Sequence, residues 1–261
     1  MNGILAVAGR ELRGLIRQPV AWSVTGIFLF LHGLFFVQLM ERYSESSVRV
    51  LSGYAAQDLA FVDRVVRPLL VGDAFALMMI LPALTMRQMA EEWRSGTSDL
   101  LLTYPLTETQ VVLGKYLGSV IVTTMMILFG ALHSASTAFW GDVEVPVALL
   151  GHFGLWLYTM MVLAIGLAMS TVTENQVIAF ASTLAVLLGL VVVGGWGTDV
   201  GPPWDAVLRL VSFTGHVGHF GFGELRASSV LFFVGLTVFF LHLAIGTLGR
   251  RRWKHAGRRA G

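Results

Sequence analysis

Residues 20–40 run without a single charged side chain. As a helix this stretch of about 21 residues spans roughly 31 Å, the thickness of a bilayer's hydrocarbon core. Further apolar runs occupy 68–89, 107–140, 147–170, 177–193 and 230–248. With 55% hydrophobic and only 13% charged residues over 261 positions, the chain reads as one all-α polytopic membrane domain, 1–261, with six transmembrane helices. A net charge of +2 is too small to argue for nucleic acid, and the basic residues gather near the ends, where membrane lipids are their natural partners. Without cysteine there is no disulfide, no thiolate metal site and no cysteine nucleophile. No cleavable signal is expected at the start of the chain.

Before the first run, Ile4, Leu5, Val7, Ala8, Leu12, Leu15 and Ile16 recur at helical spacing, with Arg10, Arg13 and Arg17 on the other side. That pattern predicts an N-terminal interfacial helix whose basic face meets anionic lipid. Pro19 then allows a turn and a fresh helix start. Arg250, Arg251, Arg252, Lys254, Arg258 and Arg259 close the chain. Bases flanking the first and last runs place both termini in the cytoplasm, and six crossings satisfy that requirement.

The mixed segment 41–67 reads as an extramembrane hairpin or short helices, and the second run carries an interior Pro82, which predicts a kink. His32 reads as a packed or backbone-satisfied histidine and Asp73 as a solvated carboxylate near the interface. Lys115 is expected to snorkel toward the phosphates. Thr107 and Gln110 are spaced as a capping box opening a helix, and Thr173 and Gln176 repeat the device, which predicts two helices starting on the same, cytoplasmic side. Residues 198–229 are too broken for a full crossing and too apolar for an ordinary loop, which predicts a re-entrant or surface-lying segment before the sixth span.

Catalytic chemistry is sparse. The chain contains no His-Glu-x-x-His, no Gly-x-Ser-x-Gly and no P-loop. His216 and His219, with Glu224 behind them, could share a helical face around a metal, but the intervening glycines favour a hydrogen-bonded loop. The paired methionines 78–79, 125–126 and 160–161 lie inside apolar runs and read as packing, not as copper ligands. No enzymatic activity, metal or bound cofactor is therefore expected of this chain.

A long polar stretch between the second and third runs remains to be explained. Leu84-Thr85-Met86-Arg87, Glu91-Glu92, Arg94-Ser95-Gly96-Thr97, Leu100-Leu101-Leu102-Thr103, Pro105 and Val112-Leu113-Gly114-Lys115-Tyr116-Leu117 resemble the permeases of type 2 ATP-binding-cassette exporters, and more narrowly the gliding-motility-associated subfamily. Thr173-Glu174-Asn175-Gln176, His219-Phe220 and a last span ending in Arg252-Trp253 extend the resemblance over nearly the whole chain. It departs at Trp93, often charged in the family, and at Tyr104, often small. The resemblance implies a six-span subunit paired with a second copy or a related permease, with ATP and magnesium held on cytoplasmic ATPase subunits. It further implies a cytoplasmic coupling helix between spans two and three around 90–105, with Glu91, Glu92, Arg94, Gly96, Thr97, Leu100 and Leu101 as its ATPase contacts, and an extracellular re-entrant segment before span six. A membrane anchor that moves nothing, and an intramembrane metalloenzyme using His216 and His219, are the competing readings.

Overall fold

The computed structural model describes residues 2–52, 60–95, 106–136, 145–196, 201, 208 and 210–259, and every element among them is helical. In order these are α1 (Asn2–Arg17), α2 (Pro19–Leu51), a π turn (Val62–Val66), α3 (Arg67–Thr85), α4 (Ala90–Arg94), α5 (Glu108–Ser136), α6 (Val145–Val172), α7 (Gln176–Trp196), α8 (Phe213–Gly221) and α9 (Ala227–Arg259). Six of these helical stretches are long and apolar enough to cross a membrane. The chain is a multi-pass, all-α membrane protein.

Local sequence explains where the elements break. Gln18 is extended, as the residue before a proline prefers, and Pro19 occupies the first turn of α2 where its missing N–H is no loss. α2 then continues well past Met40 to Leu51, against the expected hairpin or short helices. The residues beyond Met40 contain no Gly or Pro until Gly53, and Glu45 precedes Arg49 by one favourable helical interval. α3 remains one helix through Pro82 and ends at Thr85. α8 closes with a Schellman motif, in which Gly223 at φ 76° lets its own N–H reach the Phe220 carbonyl while Glu224 N–H reaches that of His219.

α6 is the axis of the bundle. It is apolar on every side, which is the signature of a helix with no solvent face. In its span 83% of residues are buried, against 22% for the spans of α2, α7 and α9. α3, α5, α7, α8 and α9 surround it. Three of its glycines admit neighbours that any side chain would exclude: a Cβ on Gly151 would collide with Leu70, one on Gly154 with Phe220, and one on Gly166 with Thr85. The low burial of α2, α7 and α9 leaves their outer faces for lipid or for another subunit.

α1 does not float on the surface of the bundle. It lies along the first half of α5, where Gly114 and Gly118 form a small-x-x-x-small face. A Cβ on Gly114 would sit 2.5 Å from Val7 Cβ, and one on Gly118 would sit 2.9 Å from Glu11 Cβ. Gly118→Leu is therefore expected to lever α1 away and destabilise the chain by about 1–3 kcal/mol. Thermal unfolding of the purified protein in detergent checks this, with Gly9→Ala, whose Cβ meets nothing within 4 Å, as the variant that leaves the midpoint unchanged or raised.

Candidate functional site

Lys115 carries the site at the end of the bundle where α1, the 86–95 connection and the start of α5 meet. Its side chain is 1% exposed, and a buried ammonium requires an acceptor for each of its three hydrogens. It has them: Nζ donates to Glu11 Oε2 at 3.1 Å, Glu92 Oε1 at 2.8 Å and the Gln88 carbonyl at 2.7 Å. Arg10 reaches Glu92 from outside at 3.2 Å. The lysine expected to snorkel instead turns inward, because two carboxylates and a carbonyl from other elements converge on it.

The same connection is fastened at its other edge by Ser170, near the end of α6. Its hydroxyl accepts from Met89 N–H at 2.9 Å and Ala90 N–H at 3.0 Å and donates to the Met86 carbonyl at 3.3 Å. Gln88 also donates to Ser119 Oγ. Trp93 is buried beneath the Arg251 guanidinium, 5.0 Å from the ring centroid. Arg251 also donates to the Val172 carbonyl and pairs with Glu174 at 3.7 Å. Arg252 binds Glu108 at 3.0 Å and the Leu106 carbonyl at 3.3 Å. Arg251 and Arg252 thus grip the ends of other helices. A cavity of about 240 Å³ opens beside this network between Arg10, Gln18, Arg87 and Glu91.

Within α4, Glu91 and Arg94 are exposed, whereas Glu92 is half-buried against Lys115. Gly96, Thr97, Leu100 and Leu101, and Tyr104 with them, lie outside the described residues. Thr107 and Gln110 make the reciprocal capping box, Thr107 N–H to Gln110 Oε1 at 3.0 Å and Gln110 N–H to Thr107 Oγ1 at 3.2 Å. Thr173 and Gln176 do not. α7 begins at Gln176, so Asn175 is its cap, accepting from Val177 N–H at 2.8 Å and Ile178 N–H at 3.4 Å, while Thr173 Oγ1 accepts from Asn175 N–H at 3.1 Å.

His216 and His219 are not brought together around an ion. The Leu210 carbonyl can only accept, at 3.0 Å from His216 Nε2, so that nitrogen carries the proton and Nδ1 accepts from Ser229 Oγ–H at 2.9 Å. Burial lowers the His216 pKa, partly opposed by the Leu210 bond, which agrees with a neutral ring. His219 turns outward to Glu224 at 3.6 Å, its pKa lowered by burial and by Arg226 against the opposing Glu224.

A second cluster, missed in the sequence, lies at the opposite end of the bundle. His32 and Asp73 are both fully buried, with Nδ1–H donating to Oδ2 at 2.8 Å. Asp73 is thus neither solvated nor interfacial, and His32 is not satisfied by backbone. His152 is buried beside them, and the exposed His133 has its ring 5.2 Å from that of His32. One signal could have pointed to it: a carboxylate and three histidines, each on a different apolar run.

The ion network at Lys115 yields a direct test. Lys115→Met leaves Glu11 and Glu92 without their buried counter-charge and is expected to destabilise the chain by about 3–5 kcal/mol. Arg10→Ala, at a half-exposed position, is expected to change stability by less than about 1 kcal/mol. Thermal unfolding of both proteins in detergent separates the two.

Comparison with known proteins agrees with this architecture. A family model described as ABC-2 family transporter protein matches residues 5–250. The probable ABC transporter permease protein NosY of Pseudomonas aeruginosa is 32% identical over 119 residues, 44% of this chain and 43% of that protein. The probable multidrug ABC transporter permease YbhR of Escherichia coli K12 is 27% identical over 141 residues, 52% of this chain and 36% of that protein. The matched portion is thus under half the length of these relatives. With the family model extending over nearly every residue of a six-span helical bundle, the chain belongs to the ABC-2 family of transporter permeases.

Proposed function

We propose that this permease is the membrane-spanning part of an exporter powered by a separate ATPase subunit that docks on residues 90–105, with both chain termini on the cytoplasmic side of a bacterial inner membrane. The observation that carries this reading is the wiring of α4. Glu92 is tied through Lys115 to α1 and α5, Ser170 of α6 holds the backbone at Met89 and Ala90, and Trp93 lies under Arg251 of α9. A displacement applied to α4 is thereby delivered to four other helices at once. Glu91 and Arg94 face outward, as charges that choose and orient a partner at the rim of an interface should. Glu92 acts behind the contact surface instead of in it. Leu100 and Leu101 supply the apolar part of the contact, with Gly96 and Thr97 between. ATP and magnesium act on the ATPase, since this sequence has no P-loop.

In this arrangement the permease works beside a second copy or a related permease, and the open faces of α2, α7 and α9 suit such a neighbour. The segment around α8 lies at the extracellular end, away from the ATPase. The caps at Thr107 and Asn175 then open helices from the cytoplasmic side. The spans hold few ionisable groups, which favours apolar or lipid-linked cargo over small ions.

Two variants separate docking from transmission in a reconstituted complex with the cognate ATPase. Glu91→Lys combined with Leu101→Asp is expected to abolish co-purification. Glu92→Gln is expected to keep co-purification but lower cargo-stimulated ATP hydrolysis roughly tenfold, the size of a 1.4 kcal/mol loss in coupling. Unchanged binding and stimulation in all of them would overturn the proposal. A passive anchor predicts no cargo-dependent ATPase stimulation in liposomes at all.

A further inference from the structure

The buried cluster at the end of α5 is built from residues on different helices. His32 comes from α2, Asp73 from the start of α3 and His152 from the start of α6, with His133 near the end of α5. His32, Asp73 and His152 are each no more than 4% exposed. One ligand atom from each of the three lies within 4.8 Å of the others. Two imidazoles and a carboxylate converging in this way are the donor set of borderline divalent transition metals.

The hydrogen bonds around the cluster prepare the imidazoles as ligands. His152 Nδ1 is 2.8 Å from the Ala148 carbonyl, which can only accept, so the proton is on Nδ1 and the lone pair is on Nε2. His152 Nε2 has only a 3.5 Å approach from Ser134 Oγ, too long to occupy it. His32 offers its other nitrogen: Nδ1 faces Asp73 Oδ2 at 2.8 Å, the edge that an ion shared by the two would occupy by displacing the proton between them, while Nε2 has no hydrogen-bond partner. Anchoring the far ring nitrogen on a carbonyl, as at His152, is how metal-bound histidines are oriented. Asp73 Oδ1 is likewise buried and unpartnered. Gly130 of α5 closes the site with bare backbone, and a Cβ there would stand 3.7 Å from His32 Cε1 and 3.8 Å from His152 Nε2.

We propose that His32, Asp73 and His152 form a binding site for a zinc-class divalent ion inside the membrane bundle, contrary to the expectation of no metal drawn from the sequence. A simple His–Asp ion pair explains one nitrogen and one oxygen. It does not explain a second buried imidazole, pinned by its own Nδ1, with a ligand atom within 4.8 Å of the other two. Calcium and magnesium call for oxygen-rich shells that two imidazoles do not supply, and copper(I) calls for thiolate or thioether donors absent from the triad. The exposed His133 puts a third imidazole between the surface and His32, as an entry point for the ion. Bound there, the ion joins α2, α3 and α6 at the end of the bundle remote from Lys115.

The test uses the full chain, purified in detergent, stripped with chelator and titrated with zinc by calorimetry. One ion per chain is expected, and X-ray absorption of the zinc-loaded wild type is expected to show two imidazoles on the metal. Asp73→Asn and His152→Gln, which keep size and polarity, should each weaken binding more than about 100-fold, beyond what loss of a supporting bond brings. His242→Gln, on the exposed face of α9, should bind as wild type. Wild-type affinity in both triad variants, no saturable binding by the wild type, or a zinc spectrum without imidazole scattering would each overturn the assignment. The assay contains no ATPase, so its outcome is separate from the transport reading.

Discussion

A buried ammonium can be held in an apolar bundle only if carboxylates and carbonyls are brought to it, and at Lys115 that requirement fixes one end of the molecule. Glu11 can reach Nζ only if α1 lies flat along α5, and the Gln88 carbonyl and Glu92 can reach it only if the chain turns back after α3. The glycines at 114 and 118 then become necessary, because a lysine and its partner helix at this separation leave no room for side chains between them. Charge satisfaction and close packing are two views of one contact. Removing either one loosens the other.

Around α6 the chemistry is different. Its contacts are mostly apolar and rely on Gly151, Gly154 and Gly166 to bring α3 and α8 close. In lipid there is no hydrophobic drive to press helices together, so such close contact and a few polar bonds must do it. Ser170 provides those bonds at one end of α6, and the His32–Asp73 pair provides one between α2 and α3 at the other end of the bundle. The bundle is therefore tightly packed along its axis, with polar fastenings near its two ends and two at mid-span, Tyr116 O–H to the Met160 carbonyl at 3.2 Å and Trp156 Nε1–H to Thr124 Oγ1 at 2.9 Å. The helices at its margin, α2, α7 and α9, are held mainly by one face each.

The division between what could and could not be read in the sequence follows the range of the interactions. The number and order of the spans were legible because hydropathy depends on neighbours in the chain. So was the capping box at Thr107 and Gln110, whose bonds join residues three apart. The device at 173–176 was misplaced by two residues, since Thr173 and Asn175 are both competent caps and only the true start of α7 chooses between them. His32 was read as packed, which its burial bears out, whereas Lys115 and Asp73 were misread for a common reason. Each lies where an unpartnered side chain would seek the interface, and their partners come from helices whose rotation is set by packing and is not written in any local pattern. Trp93 was noted as a departure from the family, and its burial under Arg251 gives the reason an indole is accommodated there. Residues 96–105 lie outside the described residues, so their proposed coupling role rests on the likeness to the family.

The unexpected length of α2 carries the helix well beyond its charge-free run. The charge-free part ends at Met40, and the helix continues for eleven residues more, about 17 Å along its axis. By Phe61 the chain is back level with Tyr43, their rings meeting edge to face at 5.3 Å. The mixed-charge stretch is therefore a rigid continuation of the span where a hairpin or short helices were anticipated. Its side chains, Glu45 and Arg49 among them, are fixed at successive turns of one helix beyond the charge-free run.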